Sequence, residues 1–452
     1  MKIKDILGIN EAKLLFGNID TVLDNFTIDT RKIKEGDTFL GIKGENVDGN
    51  LYWEEAFLKG AKTCIVSNID IPASMKEKYF DKNLILVADS IPFLTEIAKL
   101  KRKTINVPII AVTGSVGKTS TKNIIAEVLS AKYKVFKTKG NFNSVIGMSL
   151  TMLSIHDEEI VVLEMGMNQK GEISCLTNIA QPDVAVITNI GTSHIGNLGS
   201  RENILKAKLE ILEGLKGPII INNDNDLLNA WQKEAQINNP IITYGIDTNS
   251  MYQACDLSYS ASGSTFKIND YTININVIGK HFVYNSLVAY ILGTMYDVDK
   301  EQIKEKLKHL ELEPNRMELI NKNNITIIND TYNSSYESLY YALEVLSSFT
   351  GRKIAVLGDI LELGEYAEEM HRKIANLILK NSIDILVTVG PLSKYINEEA
   401  INLGFKGENI HFNTNEEAII YLLKIKKEKD NILVKASNAM HFIEIVERLR
   451  NE

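Results

Sequence analysis

Cysteine is scarce in this chain. The 452 residues contain only Cys64, Cys175 and Cys255, which lie far apart and form no CxxC pair. A disulfide framework or a cysteine-based zinc site is therefore not expected. Three isolated cysteines are typical of reduced thiols, and we expect a cytoplasmic protein.

Long apolar runs and an excess of basic charge are also missing. No run reaches the length of about 18 apolar residues that indicates a membrane span. Residues 1–16 contain acids and no long apolar core, so no signal peptide is expected. The net charge of -8 argues against a broad nucleic-acid-binding surface.

What the chain does contain is typical of a soluble α/β protein. Its residues are 44% apolar and 24% charged, and at about 150 residues per domain its length predicts three domains. Residues 1–103 form the first predicted domain, and the basic run 99–103 marks its end. Predicted strands at 37–42, 63–66 and 84–87 accompany a helix at 52–59.

Residues 104–313 alternate strands and helices, which predicts a mostly parallel sheet covered on both faces. The short alternating runs at 251–279 predict appended antiparallel strands. Residues 314–452 form a third, Rossmann-like unit, but no GxGxxG follows any strand, so no dinucleotide is expected. In the central domain the predicted strands are 107–112, 160–163, 184–188, 218–221 and 240–243, and the predicted helices include 119–131 and 203–215.

The strongest local motif follows the first strand of the central domain. It comprises Gly114, Ser115, Val116, Gly117, Lys118, Thr119 and Ser120, and a helix follows. Glycines allow backbone N–H groups to face phosphates, and the helix N-terminus adds partial positive charge. Lys118 can reach the outer phosphates and Thr119 can bind Mg²⁺. The usual pattern has glycine where this chain has Val112.

Three further residues lie where they could complete a metal site. Glu164 ends one predicted strand, and His194 follows another, so both belong to the sheet edge that carries the phosphate loop. A carboxylate suits Mg²⁺ better than a histidine does. Lys208 follows on a helix, where composition alone indicates a solvent-facing lysine.

Several blocks then resemble, in order and over nearly the whole chain, the Mur ligases of peptidoglycan synthesis. The TGSxGKT form of the phosphate loop explains the missing glycine at position 112. The other blocks are Asp29-Thr30-Arg31, Lys43-Gly44-Glu45-Asn46, Asn141-Phe142-Asn143, Glu164-Met165-Gly166, Gly279-Lys280-His281, Glu313-Pro314-Asn315-Arg316, Asp330-Thr331-Tyr332-Asn333 and Gly358-Asp359 followed by His371.

The resemblance implies a role for each matching residue. For the UDP substrate these are Asp29, Thr30, Arg31, Lys43, Asn141 and Asn143. For ATP they are the phosphate loop from Gly114 to Ser120 with Asn285, Arg316 and Asp330. For the dipeptide they are Tyr332 and Asn333. The implied metal ligands are Thr119, Glu164, His194 and Lys208, and the implied catalytic residues are Lys118, Glu164, His194, Lys208 and Arg316.

The resemblance also implies a reaction. ATP, Mg²⁺ (two ions) and a CO₂-derived carbamate on Lys208 would serve a ligase that adds D-alanyl-D-alanine to UDP-N-acetylmuramoyl-tripeptide through an acyl phosphate. The implied domains are 1–103 for the UDP substrate, 104–313 for ATP and 314–452 for the dipeptide. We expect a monomer.

Alternatives remain at this point. Ser334-Ser335-Tyr336 and Ala436 depart from the family pattern in the third domain, so the amine could be D-alanyl-D-lactate, D-alanyl-D-serine or a third amino acid. Folylpolyglutamate synthase shares the ATP core but should lack the Asp29-Thr30-Arg31 domain. A P-loop ATPase that makes no amide would need neither flanking domain.

Overall fold

Three separate β-sheets, each covered by helices, organise the chain. The computed structural model describes residues 1–260 and 263–452. The three-domain α/β architecture predicted from the alternation of strands and helices is confirmed. Within the described residues, no helix is long and apolar enough to cross a membrane.

The first sheet has five strands in the order β1-β5-β4-β3-β2, and only β1 runs antiparallel to its neighbour. Its strands are β1 Lys13–Phe16, β2 Phe26–Thr27, β3 Thr38–Leu40, β4 Thr63–Ser67 and β5 Asn83–Val87. Its helices are α1 Trp53–Leu58, α2 Met75–Lys78 and α3 Ser90–Thr104.

The central sheet has nine strands in the order β14-β13-β12-β11-β10-β9-β6-β8-β7. The strands are β6 Ile109–Thr113, β7 Val135–Lys137, β8 Ile160–Glu164, β9 Val184–Ile187, β10 Ile219–Asn222, β11 Ile241–Gly245, β12 Tyr252–Ser260, β13 Gly263–Ile268 and β14 Tyr271–Ile275. The helices are α4 Lys118–Leu129, α5 Val145–Leu153, α6 Glu172–Ala180, α7 Ile195–Leu198, α8 Arg201–Leu209, α9 Asp226–Glu234, α10 Lys280–Met295 and α11 Lys300–Lys308.

Burial explains why these strands are parallel. β6, β8 and β9 are buried along their whole length, as expected of parallel strands with helices on both faces. The predicted antiparallel strands lie at one edge, where β13 pairs antiparallel with β12 and β14. β12 differs from the prediction on its other side, because it joins β11 in parallel and so continues the main sheet.

The third sheet has six strands in the order β15-β16-β20-β17-β18-β19, and only the edge strand β15 is antiparallel. Its strands are β15 Glu318–Lys322, β16 Ile325–Asn329, β17 Lys353–Gly358, β18 Ile385–Val389, β19 Glu408–Phe412 and β20 Asn431–Lys435. Its helices are α12 Tyr336–Ser348, α13 Ala367–Lys380, α14 Lys394–Asn402, α15 Asn415–Ile425 and α16 Ile443–Asn451.

Short 3₁₀ helices connect these elements. They are Ile3–Asp5, Ile9–Glu11, Thr30–Lys32, Gly49–Tyr52, Glu210–Glu213, Gly364–Tyr366 and Asn438–Met440. The helix predicted at 203–215 begins two residues earlier, because the Ser200 side chain caps α8 by accepting from the Asn203 amide. It ends at Leu209, where the 3₁₀ turn Glu210–Glu213 follows.

The first and central sheets share packing. Leu150 and Leu153 of α5 belong to the same buried cluster as Phe93 and Ile97 of α3. The basic run at 99–103 lies in the last turns of α3. Arg102 in that run is buried and donates hydrogen bonds to the carbonyls of Ala180 and Gln181, at the C-terminal end of α6. The run is therefore in part an interdomain anchor and not only a solvated helix end.

Candidate active site

The phosphate loop connects β6 to α4 in the conformation that its glycines permit. Gly114 has φ +149° and Gly117 has φ +82°, a region that side chains disfavour. At Gly114 an added Cβ would lie 1.9 Å from Thr188 Oγ1, so only glycine fits. The first-turn amides of α4 have no partner within the helix, which leaves them available to an anion.

Asn189 shapes the start of the loop. Its carbonyl accepts from the Ser115 amide at 3.0 Å, and its side-chain oxygen accepts from the Val116 amide at 3.0 Å. Lys118 folds back across the loop and donates to the Gly114 carbonyl at 2.8 Å. Burial lowers the pKa of Lys118, and the charge of Glu164 opposes that shift. Asn189 was not singled out from the sequence, because no local pattern marks a side chain that braces a neighbouring loop.

Glu164 ends β8 as a buried carboxylate with one oxygen in use. Oε1 accepts from Asn143 Nδ2 at 2.9 Å, whereas Oε2 is buried without a hydrogen-bond partner. Lys122 Nζ lies 3.7 Å from Oε2 and donates to the Thr138 carbonyl at 2.9 Å. Lys122 is only 1% exposed, and burial lowers its pKa. A carboxylate oxygen without a hydrogen-bond partner can serve as a ligand to a cation.

Lys208 does not face solvent, contrary to what composition alone indicates for a helical lysine. It is 2% exposed in α8, and no hydrogen bond or salt bridge to another described residue holds its ammonium group. Burial holds the pKa of Lys208 well below its ordinary value, and the positive charge of Lys118 lowers it further. Both effects favour the uncharged, nucleophilic form of this amine more than solvent would.

His194 lies between the central and third domains. It precedes α7 with a left-handed φ of +64°, and its Nδ1 is 2.9 Å from Oε2 of Glu362 in the third domain. This contact lowers the pKa of Glu362, whereas partial burial opposes the shift. Glu362 follows the predicted block Gly358-Asp359, but the sequence could not indicate which residue it would meet.

The third domain supplies further charged groups. The Arg316 guanidinium donates to Thr119 Oγ1 at 3.1 Å and stacks 3.6 Å above the centre of the Tyr332 ring. Lys435 is buried, 2.5 Å from Asp330 Oδ2, and donates to the Asn333 carbonyl at 2.8 Å. Lys435 thus connects Asp330, predicted to meet ATP, with Asn333, predicted to meet the dipeptide.

The start of α10 forms another wall of the site. Asn285 Oδ1 accepts from Thr121 Oγ1 at 2.9 Å, which connects α10 to α4. His281 packs against Phe282 and Tyr341 with ring centroids 4.1 and 5.3 Å away. Burial lowers the pKa of His281 to about 4, so the ring is neutral at physiological pH.

One cavity of about 360 Å³ brings these groups together. Of the residues predicted for ATP, metal and dipeptide, those in its lining are Ser115, Val116, Gly117, Lys118, Thr119, Ser120, Glu164, His194, Asn285, Arg316, Asp330, Tyr332 and Asn333. Gly114 and Lys208 lie outside the lining. Asn143, which donates a hydrogen bond to Glu164, also lines the cavity. The other residues predicted for the UDP substrate are not in its lining, namely Asp29, Thr30, Arg31, Lys43 and Asn141.

The remaining residues predicted for the UDP substrate lie mostly in the first domain. Asp29 and Arg31 form a two-armed ion pair at 2.9 Å, which lowers the pKa of Asp29 to about 2. Thr30 Oγ1 donates to Glu55 Oε1 at 3.0 Å. The Arg31 side chain is 83% exposed, so it can meet a ligand.

The two departures from the family pattern have local structural roles. Ser335 caps α12, since its Oγ accepts from the Ser338 amide at 3.2 Å and its amide donates to Ser338 Oγ at 2.9 Å. Ala436 is fully buried in the core of the third domain. Ser334 and Ser335 also line the cavity, so the first departure lies at the site itself.

In the part of the chain that the structure describes, no three His, Cys, Asp or Glu side chains are grouped closely enough to hold an ion. Phosphate oxygens at the adjacent loop are of the ligand type that Mg²⁺ prefers.

Three family models match the chain. They are the Mur ligase family, catalytic domain at residues 23–102, the Mur ligase middle domain at 112–293, and the Mur ligase, glutamate ligase domain at 315–438. Together they cover most of the chain in the same order as its three sheets.

Named relatives agree with these matches. The UDP-N-acetylmuramoyl-tripeptide–D-alanyl-D-alanine ligase of Bacillus subtilis is 39% identical over 95% of this chain and 93% of its own length. The Escherichia coli enzyme of the same name is 30% identical over 95% of this chain and 94% of its own length. A crystal structure of MurF from Acinetobacter baumannii has a TM-score of 0.90 at 26% identity, and the match covers 100% of this chain and 99% of the other. The crystal structure of MurF from Thermotoga maritima in complex with ADP has a TM-score of 0.83 at 28% identity, and the match covers 96% of this chain and 98% of the other.

Proposed function

The chain belongs to the Mur ligase family, and from that premise we propose that it joins D-alanyl-D-alanine to UDP-N-acetylmuramoyl-tripeptide at the expense of ATP. The proposal rests on one observation above all. A single cavity is lined both by the phosphate loop and by the third-domain residues Asp330, Tyr332 and Asn333. A nucleotide switch that makes no amide would not need that third-domain wall.

The chemistry requires activation of a carboxylate, which is a poor electrophile. The terminal carboxylate oxygen of the tripeptide attacks the γ-phosphorus of ATP, ADP leaves, and an acyl phosphate forms. The dipeptide amine then attacks the acyl carbon, loses a proton, and inorganic phosphate leaves. Closing the cavity between two domains excludes water that would otherwise hydrolyse the acyl phosphate.

Charge neutralisation is the main task of the protein in the first step. Lys118 belongs to the phosphate loop of the central domain, and Arg316 reaches the loop from the third domain. Lys118 can exchange the Gly114 carbonyl, and Arg316 the Thr119 hydroxyl, for a phosphate oxygen. The amides at the start of α4 add further donors. Asn285 would contact the adenine, and Asp330 would lie near the nucleotide, held by Lys435.

The oxygen-bearing groups beside the phosphate loop fit Mg²⁺. We propose that two Mg²⁺ ions bind there, and that their protein ligands are Thr119, Glu164, His194 and a carbamate on Lys208. The free Oε2 of Glu164 and the buried, unpartnered amine of Lys208 support this assignment. Bound Mg²⁺ would neutralise phosphate charge. Carbamylation of the uncharged amine by CO₂, with loss of a proton, would give an anionic oxygen ligand that Lys118 attracts.

For the peptide substrates, we propose that Asp29, Thr30, Arg31 and Lys43 hold the UDP moiety in the first domain. Asn141 and Asn143 would meet the substrate where it enters the central domain. Tyr332 and Asn333 would meet the dipeptide, because both line the third-domain side of the cavity. The domain assignments 1–103, 104–313 and 314–452 follow from these roles. We propose that the enzyme acts as a monomer in the cytoplasm.

The test is phosphate release from ATP measured with combinations of substrates. Release should require both the UDP-tripeptide and D-alanyl-D-alanine, and the product mass should equal their sum less one water. Parallel reactions with D-alanyl-D-lactate, D-alanyl-D-serine and single amino acids define the amine. Phosphate release that ignores the UDP-peptide would exclude the ligase.

A further inference from the structure

Two non-glycine residues in left-handed conformations meet across the interface between the central and third domains. His194 has φ +64° and Glu362 has φ +67°. Such conformations are strained and persist where the surroundings enforce them, often at functional sites. Their side chains approach to 2.9 Å between His194 Nδ1 and Glu362 Oε2.

The two backbones are held together at this point. The Gly196 amide donates to the Glu362 carbonyl at 3.3 Å. An added Cβ at Gly196 would lie 2.6 Å from the Gly364 amide nitrogen, so the loops touch backbone to backbone. The Tyr366 hydroxyl donates to the Gly199 carbonyl at 2.7 Å on the same interface. The contact between Glu362 and His194 therefore exists only when the third domain lies against the central one.

The geometry of the imidazole gives this contact a chemical meaning. Nδ1 is buried and lies 2.9 Å from Oε2 of Glu362, and it has no other hydrogen-bond partner among the described residues. A histidine that binds a metal through one ring nitrogen commonly donates from the other to a carboxylate, which fixes the tautomer.

We propose that Glu362 is a positioning residue that, on domain closure, holds the His194 imidazole with Nδ1 protonated and Nε2 free to serve the metal site. This proposal rests on the proposed role of His194 as a metal ligand. It makes the metal centre complete only in the closed molecule, because its outer carboxylate comes from the third domain. Glu365 lies in the same segment, exposed and without a hydrogen bond or ion pair to another described residue, and is a matched control.

The test is Mn²⁺ binding to the whole protein in the presence of ADP, followed by electron paramagnetic resonance. Glu362→Gln should weaken Mn²⁺ binding about tenfold, the lower end for outer carboxylates. Glu365→Gln should leave it unchanged. In a His194→Ala background Glu362→Gln should have no further effect, because the carboxylate acts through the ring.

A second measurement reports on the ring itself. Long-range ¹H–¹⁵N spectra of histidine-labelled protein with ADP and Mg²⁺ should give the Nδ1–H tautomer for His194 and a mixture in Glu362→Gln. Equal loss of Mn²⁺ binding in both backgrounds would overturn the proposal, since Glu362 would then act on the metal directly. An unchanged affinity in Glu362→Gln would also overturn it. If His194→Ala alone binds Mn²⁺ normally, the metal-ligand role of His194 fails first.

Discussion

Lysines at the phosphate loop outnumber the buried carboxylates whose charge acts on them. Lys122 and Lys208 are buried and Lys118 is half-buried, and Glu164 is the buried carboxylate whose charge acts on Lys118 and Lys122. Unpaired buried charge is costly, so the site favours an anionic ligand. Phosphates and a carbamate are the anions that would offset this charge.

Lys208→Ala tests the proposed carbamate. Ligation should fall at least about a hundredfold, because a charge-stabilising group is lost near the transferring phosphoryl group. Binding of the UDP-tripeptide, measured by calorimetry, should be unchanged. Formate or acetate should restore part of the rate by supplying the missing carboxylate.

Lys206→Ala is the matched control, since Lys206 lies on the same helix but is exposed. It should retain its activity. Near-normal ligation by Lys208→Ala without an added carboxylate would contradict the carbamate.

Lys122→Met tests whether this lysine stabilises Glu164. We expect the free energy of unfolding to fall by about 3 kcal/mol, because Glu164 would be left without its counter-charge in the interior. Denaturant titration measures this loss. The double variant with Glu164→Gln should recover part of it, whereas exposed Lys137→Met should have little effect. If the double variant recovers no stability, Lys122 stabilises the protein through its hydrogen bond to the Thr138 carbonyl and not through Glu164.

At the scale of elements, a side chain of α3 supplies hydrogen-bond donors to the C-terminal end of α6. α6 ends at Ala180, and its last carbonyls have no partner within the helix. Arg102 in α3 donates to Ala180 O at 2.7 Å and Gln181 O at 3.0 Å, and also reaches Asp183. A cation at a helix C-terminus is favoured by the helix dipole. The first domain is thereby attached to the central one.

Arg102→Ala should lower the free energy of unfolding by about 3 kcal/mol, because buried carbonyls would lose their charged donor. Thermal or denaturant unfolding measures the change. Lys103→Ala, at the exposed neighbouring position, should be neutral within about 0.5 kcal/mol. Equal stabilities for the two variants would show that α3 is held by apolar packing alone.

On the scale of the whole molecule, polar contacts join the third domain to the central domain beside a buried apolar cluster that both domains share. Glu337, in the first turn of α12, accepts from the Thr192 amide at 2.8 Å and from its hydroxyl at 3.1 Å. The polar contacts can be exchanged with water, which favours reversible closure, whereas the shared apolar cluster favours the closed arrangement. Such reversibility is required if three substrates are to enter and two products and ADP are to leave.

Glu337→Ala should shift the molecule towards the open arrangement by about tenfold, as expected for the loss of a charged hydrogen-bond acceptor. Small-angle scattering with ADP should give a larger radius of gyration, and ligation should slow. Glu428→Ala, an exposed carboxylate between α15 and β20, is the control and should scatter as the parent does. Unchanged scattering from Glu337→Ala would mean that other contacts hold the domains closed.

The sequence by itself determined the three-domain α/β class and the phosphate loop, because both depend on local patterns. Buried strands are marked by apolar runs, and the loop is marked by glycines, a lysine and a threonine between a strand and a helix. Short or exposed edge strands such as β7 and β19 carry no such run and were not predicted. The family resemblance added roles for residues that no local pattern distinguishes.

Only the tertiary structure decided which side chains meet. The buried state of Lys208 and Arg102 depends on the elements packed against them, and composition alone wrongly indicated a solvent-facing side chain for Lys208. Lys122, Asn189 and Glu362 act through partners far away in the chain, at Glu164, the phosphate loop and His194. Burial and contact between distant segments arise only when the domains pack, so no local spacing could have indicated them.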